Sequence, residues 1–500
     1  MKHLNLAIII IFAFIQTNAF TGEIIKSILT PGNYCTGLTY DGENLWVTDR
    51  MTDEIYCLNP ENGEIIRKLK APGYWPMGLT WDGKYLWNAD IKGGIPLAEN
   101  YNGKIYKIDP TDGTIVRTLQ SPTPAPRGLA WDGKYLWTVD DYKDKIVQFD
   151  PNDGTTIQEF TSPSGSPQGL TFDGNYLWIS DRILDEIYMV DPSNGAVLLI
   201  TKAPGKFSRG LAFDGKNLWN IDYQDNKIYQ LKVNDGEKFA RYNEKKSKVF
   251  FTHQTTNFGP GKVKTLDFHF ALPQNRDNQE ILGELEFQPP YSDIITDKWG
   301  QNTAHWHLEN IEANNTNEIK ITTKIKTFDV RYFIFPDKVG SLDDIPKDIK
   351  VKYLENNNKY MYDHPVIQKA VNQTVKDVKN PYWIARNIFN FLIDNMYYEM
   401  TGGWNTAPTV LERGNGSCSE YSFVYIAMCR AAGLPARYVG SVVVRGDDVS
   451  MDDVFHRWVE VYLPNYGWIP VDPSGGDHKW PRDQANAFGA LVNRFYITTQ

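Results

Sequence analysis

Three observations predict a multidomain fold, mainly β with an α+β part at its C-terminal end. A unit recurs five times before residue 236, alternating apolar segments follow it, and helical patterns surround a cysteine in the last third. At 500 residues the length favours about three domains. A hydrophobic content of 41% and an aromatic content of 13% suffice for sizeable cores. The net charge of −9 and pI near 5.5 give no electrostatic case for nucleic acid, whose binders usually carry a basic patch. No nucleic-acid partner is expected.

Residues 1–19 begin with Lys2 and continue as an apolar run from Leu4 to Ile15, followed by Thr17-Asn-Ala19. That run is short for a bilayer span and suits a secretory signal cleaved after Ala19, with an uncleaved anchor as the alternative. No later segment approaches membrane-spanning length. The mature chain is therefore expected to be exported, periplasmic or extracellular, with no integral membrane segment.

The repeat runs Gly37-Leu-Thr-Tyr-Asp-Gly to Trp46, and again from Gly78, Gly128, Gly169 and Gly210 to Trp87, Trp137, Trp178 and Trp219. Trp-to-Trp spacings are 41, 50, 41 and 41 residues. Each unit holds an early Asp-Gly and a late Asn-Gly or Asp-Gly, dipeptides that favour tight hairpins because the turn needs positive φ. Two hairpins make four strands, and strand-rich units of this period indicate the blades of a five-bladed β-propeller over 20–236. Thr21 to Leu29 matches the fourth strand of the first unit, so it is expected to close the last blade; Gly236-Glu-Lys-Phe is the alternative. The recurring Trp and Asp argue for packing between blades and for tying turns. Lys92 to Asn100, the excess in the second unit, is the better candidate for contact with a ligand.

After residue 236 the period vanishes. Leu266, Phe268, Phe270 and Leu272 alternate with polar neighbours, as do Ile319, Ile321, Thr323 and Ile325, which predicts an antiparallel β-sandwich-like domain over 237–340. His305 and His307 flank Trp306 and could share a strand face as metal ligands. No third ligand at suitable spacing follows, so a solvated pair is expected and no metal. Residues 336–360 are polar and read as a linker into a domain over 341–500. Helices are predicted over 365–378 and 381–395, the second started by Asn380-Pro381. They should pack around the helix that begins near Cys418. Residues 404–413 read as its approach loop, and 445–453 as a loop across the cleft.

Ser417 and Glu420 form a capping box, which puts Cys418 at the first turn of a helix that runs to Ala432 and stops at Gly433 and Pro435. A thiol there feels the positive end of the helix dipole, which favours thiolate and can hold an oxyanion. For a cysteine taken alone, a small buried hydrophobe is the plainer reading. Downstream, residues 455–473 read as two strands joined near Pro464. A hairpin centred there sets His456 opposite Asp472, about 4.5–5.5 Å apart at Cβ. Asp472 would then orient His456, and His456 would take the proton of Cys418. Of the other cysteines, Cys35 and Cys57 share one repeat and are candidates for a bridge, whereas Cys429 lies too far along its helix to reach Cys418.

Gly416-Ser-Cys-Ser-Glu, Arg430-Ala-Ala-Gly-Leu-Pro-Ala-Arg437, His456-Arg-Trp-Val-Glu-Val and Gly467-Trp-Ile-Pro-Val-Asp-Pro473 together resemble the bacterial transglutaminase-like superfamily, whose catalytic domain is papain-like. The resemblance implies Cys418 as nucleophile, His456 as general base and acid, and Asp472 as orienter. It also implies a protein or peptide substrate and an acyl-enzyme, with water or an amine as acceptor. No cofactor is implied. The transition-state tryptophan of the animal enzymes does not transfer, because Trp404 is only 14 residues ahead of Cys418. The repeats resemble NHL and YWTD-type propellers, a likeness that leaves the propeller's ligand unknown. The rival expectation is a non-catalytic surface-binding protein whose C-terminal domain is a scaffold.

Overall fold

The computed structural model describes residues 20–91, 103–233, 237–400, 403–445, 450–451 and 454–500. The expected signal segment, the Lys92 to Asn100 insertion and most of the 445–453 loop lie outside the described residues.

Five four-stranded antiparallel sheets occupy the first half of the chain. Four use consecutive strands, starting at Cys35–Tyr40, Pro76–Trp81, Pro126–Trp131 and Pro167–Phe172. The fifth combines Ser208–Phe213, Leu218–Asp222 and Lys227–Leu231 with Ile24–Leu29, in the register that sets Ile28 opposite Ile228. The N-terminal segment therefore takes the fourth place, while Phe239 begins a different strand, Phe239–Thr256. The first strand of each sheet packs against that of the next, and Ser208–Phe213 returns to Cys35–Tyr40. The repeat glycine makes this approach possible. A Cβ on Gly37 would lie 2.1 Å from the carbonyl oxygen of Met77, and one on Gly210 would lie 2.7 Å from that of Thr36.

The recurring Asp and Trp do the turn-tying work expected of them. Asp82 Oδ2 accepts from Trp87 Nε1 at 2.8 Å while its Oδ1 accepts from the backbone of Lys84 and Tyr85 at 2.9 and 2.7 Å. The same Trp-to-Asp bond recurs in the other four units at 2.7–2.8 Å. Cys35 and Cys57 are both free. They belong to separate apolar cores on the two sides of their sheet.

Two further sheets follow. One is five-stranded and is built on Phe239–Thr256 and Thr316–Tyr332; the other orders Val263–Ala271, Asn302–Ile311 and Asp293–Thr296. Ala304, Trp306, Ile319 and Ile321 are buried together with Phe251, Phe268 and Phe287, as the alternation predicts. Ala490–Leu491, from the far end of the chain, adds to the five-stranded sheet beside Val330 and Arg331.

In the last third, the helices Pro365–Thr374, Pro381–Asn395 and Ala407–Arg413 pack on Cys418–Ala431. A four-stranded sheet covers its other side, in the order Gly467–Val471, Phe455–Leu463, Ala436–Val443, Phe495–Thr499. Asn380 caps the second helix by accepting from Tyr382 N at 2.9 Å. The expected linker over 336–360 is instead structured, with a helix at Lys347–Tyr353. Its scattered apolar residues Val339, Ile345, Tyr353 and Tyr360 are buried, and Tyr353 meets the Trp468 ring edge-on at 4.8 Å. The expected approach loop likewise contains the helix Ala407–Arg413, started by Pro408 in its first turn.

One continuous apolar core joins Trp178, Met189 and Leu199 of the fourth sheet to Phe333 and to Tyr382, Phe389 and Val424. Beside it, the buried Glu186 carboxylate pairs with Arg331 at 3.0 Å and Arg482 at 2.8 Å, one cation from each neighbouring part. Removing either partner from such a buried group is costly, so the parts are tied by charge as well as by packing. Among the described residues, no helix is long and apolar enough to cross a membrane.

Candidate active site

The helix Cys418–Ala431 is buried along nearly its whole length, from Ser419 to Arg430, so its position is fixed on all sides. Its start is held by Glu420, whose carboxylate is fully buried. That carboxylate accepts from Ser417 N at 3.3 Å and Asn405 Nδ2 at 2.9 Å and pairs with Arg413 at 2.9 Å. Burial pushes the Glu420 carboxyl up, but the bonds from Asn405 and Ser417 and the charge of Arg413 outweigh it, so it stays ionised. At the other end Leu434 N bonds Cys429 O at 2.9 Å and Gly433 N bonds Arg430 O at 3.0 Å, with Gly433 at φ 77°, the glycine-terminated stop the sequence predicts. Cys418 is thereby presented, partly exposed, at the first position of the helix.

His456 enters from the strand Phe455–Leu463, where it pairs with Ser441 and stacks on Phe495 with ring centroids 5.1 Å apart. Its Nε2 lies 2.5 Å from Asp472 Oδ2. The same imidazole faces the Cys418 thiol closely enough to lower it, against the upward push of burial. The structure thus brings together all three residues singled out in the sequence.

The route differs from the expected one. The hairpin is centred on Asn465 rather than Pro464, with Leu463 opposite Gly467 and Val459 opposite Val471. Asn465 takes the left-handed conformation, φ 72°, at the tip. Asp472 lies just past the paired strand and reaches His456 diagonally. A displacement of two residues keeps both side chains on one face, whereas a slip of one would have parted them.

Charge is graded across the three groups. Burial pushes the Cys418 thiol up, but the bond and charge of His456 and a bond from the Arg457 backbone N–H outweigh it, so the thiol lies below its usual value. Burial pulls His456 down, but Asp472 and Cys418 together push it up to about 9. Burial also raises Asp472; its bonds to His456, to Ser474 Oγ at 2.8 Å and to Gly475 N at 2.9 Å hold it below the usual carboxylate range. A lowered thiol beside a raised imidazole is the signature of a thiolate–imidazolium pair.

Sequence reasoning missed Tyr398. It lies on the two-residue strand Tyr397–Tyr398, which pairs in parallel with Asn415–Gly416 immediately before the cysteine. Its hydroxyl donates to Met400 Sδ at 3.5 Å, and burial followed by the charge of Cys418 pushes it up. Proximity in sequence gives no sign of its nearness to Cys418; the parallel pairing creates it. Trp404 is 65% exposed and stands 6.3 Å from the Tyr438 ring.

Residues 368–473 match the model of the transglutaminase-like superfamily. The chain therefore carries a transglutaminase-like domain, and Tyr398, Cys418, His456 and Asp472 all fall within it. YebA, an uncharacterized protein of Bacillus subtilis, is 22% identical over 275 residues, covering 49% of this chain and 35% of YebA. An uncharacterized protein of Haemophilus influenzae is 25% identical over 238 residues, covering 40% of this chain and 61% of that protein. The chain thus spans less than two thirds of either relative. The crystal structure of a proposed cysteine protease from Cytophaga hutchinsonii is 19% identical, with a TM-score of 0.38, over 51% of this chain and 83% of that one.

Proposed function

We propose that this is an exported cysteine enzyme that acts on amide bonds of a protein or peptide through an acyl-enzyme on Cys418. The observation that carries the reading is the imidazole of His456, which bonds Asp472 at 2.5 Å and stands near enough to the Cys418 thiol to lower it. In this reading the thiolate attacks the amide carbon and the C–N bond breaks. The imidazolium passes its proton to the departing amine, and a thioester remains. Water, deprotonated by His456, then releases a carboxylic acid; a lysine amine in its place gives an amide. Asp472 keeps the ring oriented, and the N–H groups at the start of the Cys418 helix are the donors within reach of a developing oxyanion. The transglutaminase-like domain supports this class of chemistry.

The five sheets are read as a five-bladed propeller over 20–236, followed by a sandwich-like domain over 237–340 and the catalytic domain over 341–500. In this reading the propeller is a binding module. The cyclic contact of first strands supports it, as does a group of arginines around the ring's interior. Arg50 Cζ lies 5.6 Å from both the Tyr34 and Trp75 rings, and Arg209 Cζ lies 5.4 Å from the Tyr223 ring. Burial and the neighbouring Arg182, Arg127 and Arg50 pull Arg209 down to about 9, a crowding of cations that favours an anionic ligand. The same group favours the second reading, a surface-binding protein whose C-terminal domain is a scaffold.

One experiment separates the two. A glutamine-containing peptide is incubated with the protein, with and without a primary amine, and the products are weighed by mass spectrometry. Loss of ammonia to glutamate marks hydrolysis, and amine incorporation marks transfer. If neither occurs, and Cys418 alkylates equally slowly in wild type and His456→Ala, the scaffold reading stands.

A further inference from the structure

The three-stranded sheet of the middle region presents two histidines whose four ring nitrogens all face carboxylates. On the strand Asn302–Ile311, Trp306 turns into the core while His305 and His307 share the outer face. Asp267, on the paired strand, is directly opposite His307. Its Oδ1 lies 2.9 Å from His305 Nε2 and 2.7 Å from His307 Nδ1. Behind the rings, Asp293 Oδ1 lies 2.8 Å from His305 Nδ1 and Glu309 Oε1 lies 3.3 Å from His307 Nε2. His269 stacks on His305 at 4.5 Å and 10°, which limits the rotation of that ring.

A neutral imidazole has one N–H and can satisfy one carboxylate, not two. Each ring here would have to be doubly protonated to bond on both sides, or something other than a proton must sit between the inner nitrogens and Asp267. A metal ion would take that place with both rings neutral, once the inner atoms move apart from their present 2.7 and 2.9 Å. Each ring then donates its remaining N–H to Asp293 or Glu309, the arrangement by which carboxylates orient metal-binding histidines. The inner atoms of Asp267, His305 and His307 all lie within 4.8 Å of one another, the only such group among the described residues. Tetrahedral zinc, at about 2.0–2.1 Å from each nitrogen, needs ligand atoms roughly 3.3 Å apart, a small spreading of the 2.7 and 2.9 Å that separate Asp267 Oδ1 from the two rings.

We propose that Asp267, His305 and His307 form a binding site for a divalent transition metal of the zinc class, with Asp293 and Glu309 orienting the two imidazoles. Two nitrogens and one oxygen suit zinc, cobalt or nickel, whereas calcium and magnesium prefer all-oxygen sites. Three carboxylates around two neutral rings also leave negative charge that a dication offsets. The outer side is open, His307 being 42% and Asp267 48% exposed, so water or an external donor completes the shell.

The test uses the full chain carrying Cys418→Ser, so that the thiol cannot take the metal. Calorimetry with Zn2+ should find one equivalent bound, and Co2+ should give the visible absorption bands of a tetrahedral site. Ca2+ and Mg2+ should not compete. His305→Ala with His307→Ala should lower affinity by at least about 100-fold, and Asp293→Asn by about 10-fold to 100-fold. Unchanged Zn2+ binding in the double variant, or equal competition by Ca2+, overturns the proposal. If the double variant does not fold, the Cys418→Ser protein decides alone, and absence of zinc uptake or of cobalt bands overturns it.

Discussion

Two sets of histidine and carboxylate groups lie on strands of this molecule, and the second nitrogen of each ring separates them. His456 has Asp472 on one side and a thiol on the other, in a half-buried setting. His305 and His307 have carboxylates on both sides, on an outer sheet face. A ring held by one carboxylate keeps a nitrogen for moving protons, whereas a ring held at both ends has none free and can only bind. On the two proposed readings, the same two residue types yield an acid–base group in one place and a ligand set in the other. Burial adds to the contrast, since loss of solvent strengthens the pull of Asp472 and Cys418 on a single proton.

Cys418→Ser breaks the comparison most sharply. Amide turnover should fall by about 10⁴-fold or more and no acyl-enzyme should be trapped, as when the nucleophile of a triad is removed. Zn2+ uptake at Asp267 should be unaffected. Intact-mass analysis after reaction with an amide substrate checks the first, and calorimetry checks the second.

The next largest effect is a change in pH dependence. A thiolate–imidazolium pair is expected above the lowered thiol value and below the His456 value of about 9. Iodoacetamide should therefore alkylate Cys418 at pH values below the ordinary thiol value of 9.0. Turnover, which needs the protonated imidazole, should decline as pH rises through about 9. In His456→Ala the alkylation limb should move upward, because burial then acts on the thiol without its partner. In Asp472→Asn the alkaline limb of turnover should move down, since the group that raises His456 has lost its charge, and the rate should drop by about 10²-fold to 10⁴-fold. An unmoved limb in Asp472→Asn would remove Asp472 from the site.

What the sequence revealed follows from where each signal lies. The sheets were legible because Asp, Gly and Trp recur at fixed offsets in five units, so each unit checks the others. Cys418 was legible from its cap, and His456 with Asp472 from strand parity, which survived a one-residue error in the turn centre that shifted the register by two. Tyr398 and Asp267 were not. Each acquires its partner only through strand pairing, Asp267 from 38 residues before His305, and no local pattern encodes that. In the sequence a third ligand was sought only after His307, whereas Asp267, which bonds both rings, precedes them. The helix Lys347–Tyr353 was hidden by polar composition, because only a few apolar residues face the core.

Tyr398→Phe sharpens the account of the cysteine's surroundings by a smaller step. The variant keeps the ring but loses the hydroxyl on which the charge of Cys418 acts. If that hydroxyl helps hold the oxyanion, the turnover number should fall by about 10-fold to 100-fold, less than for a sole donor because the helix N–H remains. The KM should change little, and the alkylation rate of Cys418 should stay within about 2-fold, since thiolate formation depends on His456. A fall in alkylation equal to the fall in turnover would instead make Tyr398 a support for the thiolate.

Asp82→Ala should leave both histidine sites untouched. It removes the acceptor of Trp87 Nε1, an ion pair to Lys107 at 3.0 Å and two turn bonds, and leaves the N–H of a nearly buried indole without a partner. The expected cost is about 1–3 kcal/mol in urea unfolding. Burial raises the Asp82 carboxyl, but the bonds from Trp87, Tyr85 and Lys107 outweigh it and set it below the ordinary value of 3.8. Its contribution is therefore complete above that value and is lost as pH falls through the lower folded value, so wild type and variant should converge in acid. Alkylation of Cys418 should be unchanged at every pH, because Asp82 and Trp87 lie in the second sheet, away from the fourth sheet that shares a core with the catalytic helix. A shifted alkylation profile in this variant would mean that the ring of sheets transmits strain to the thiol, and the two halves of the molecule would then have to be treated as one cooperative unit.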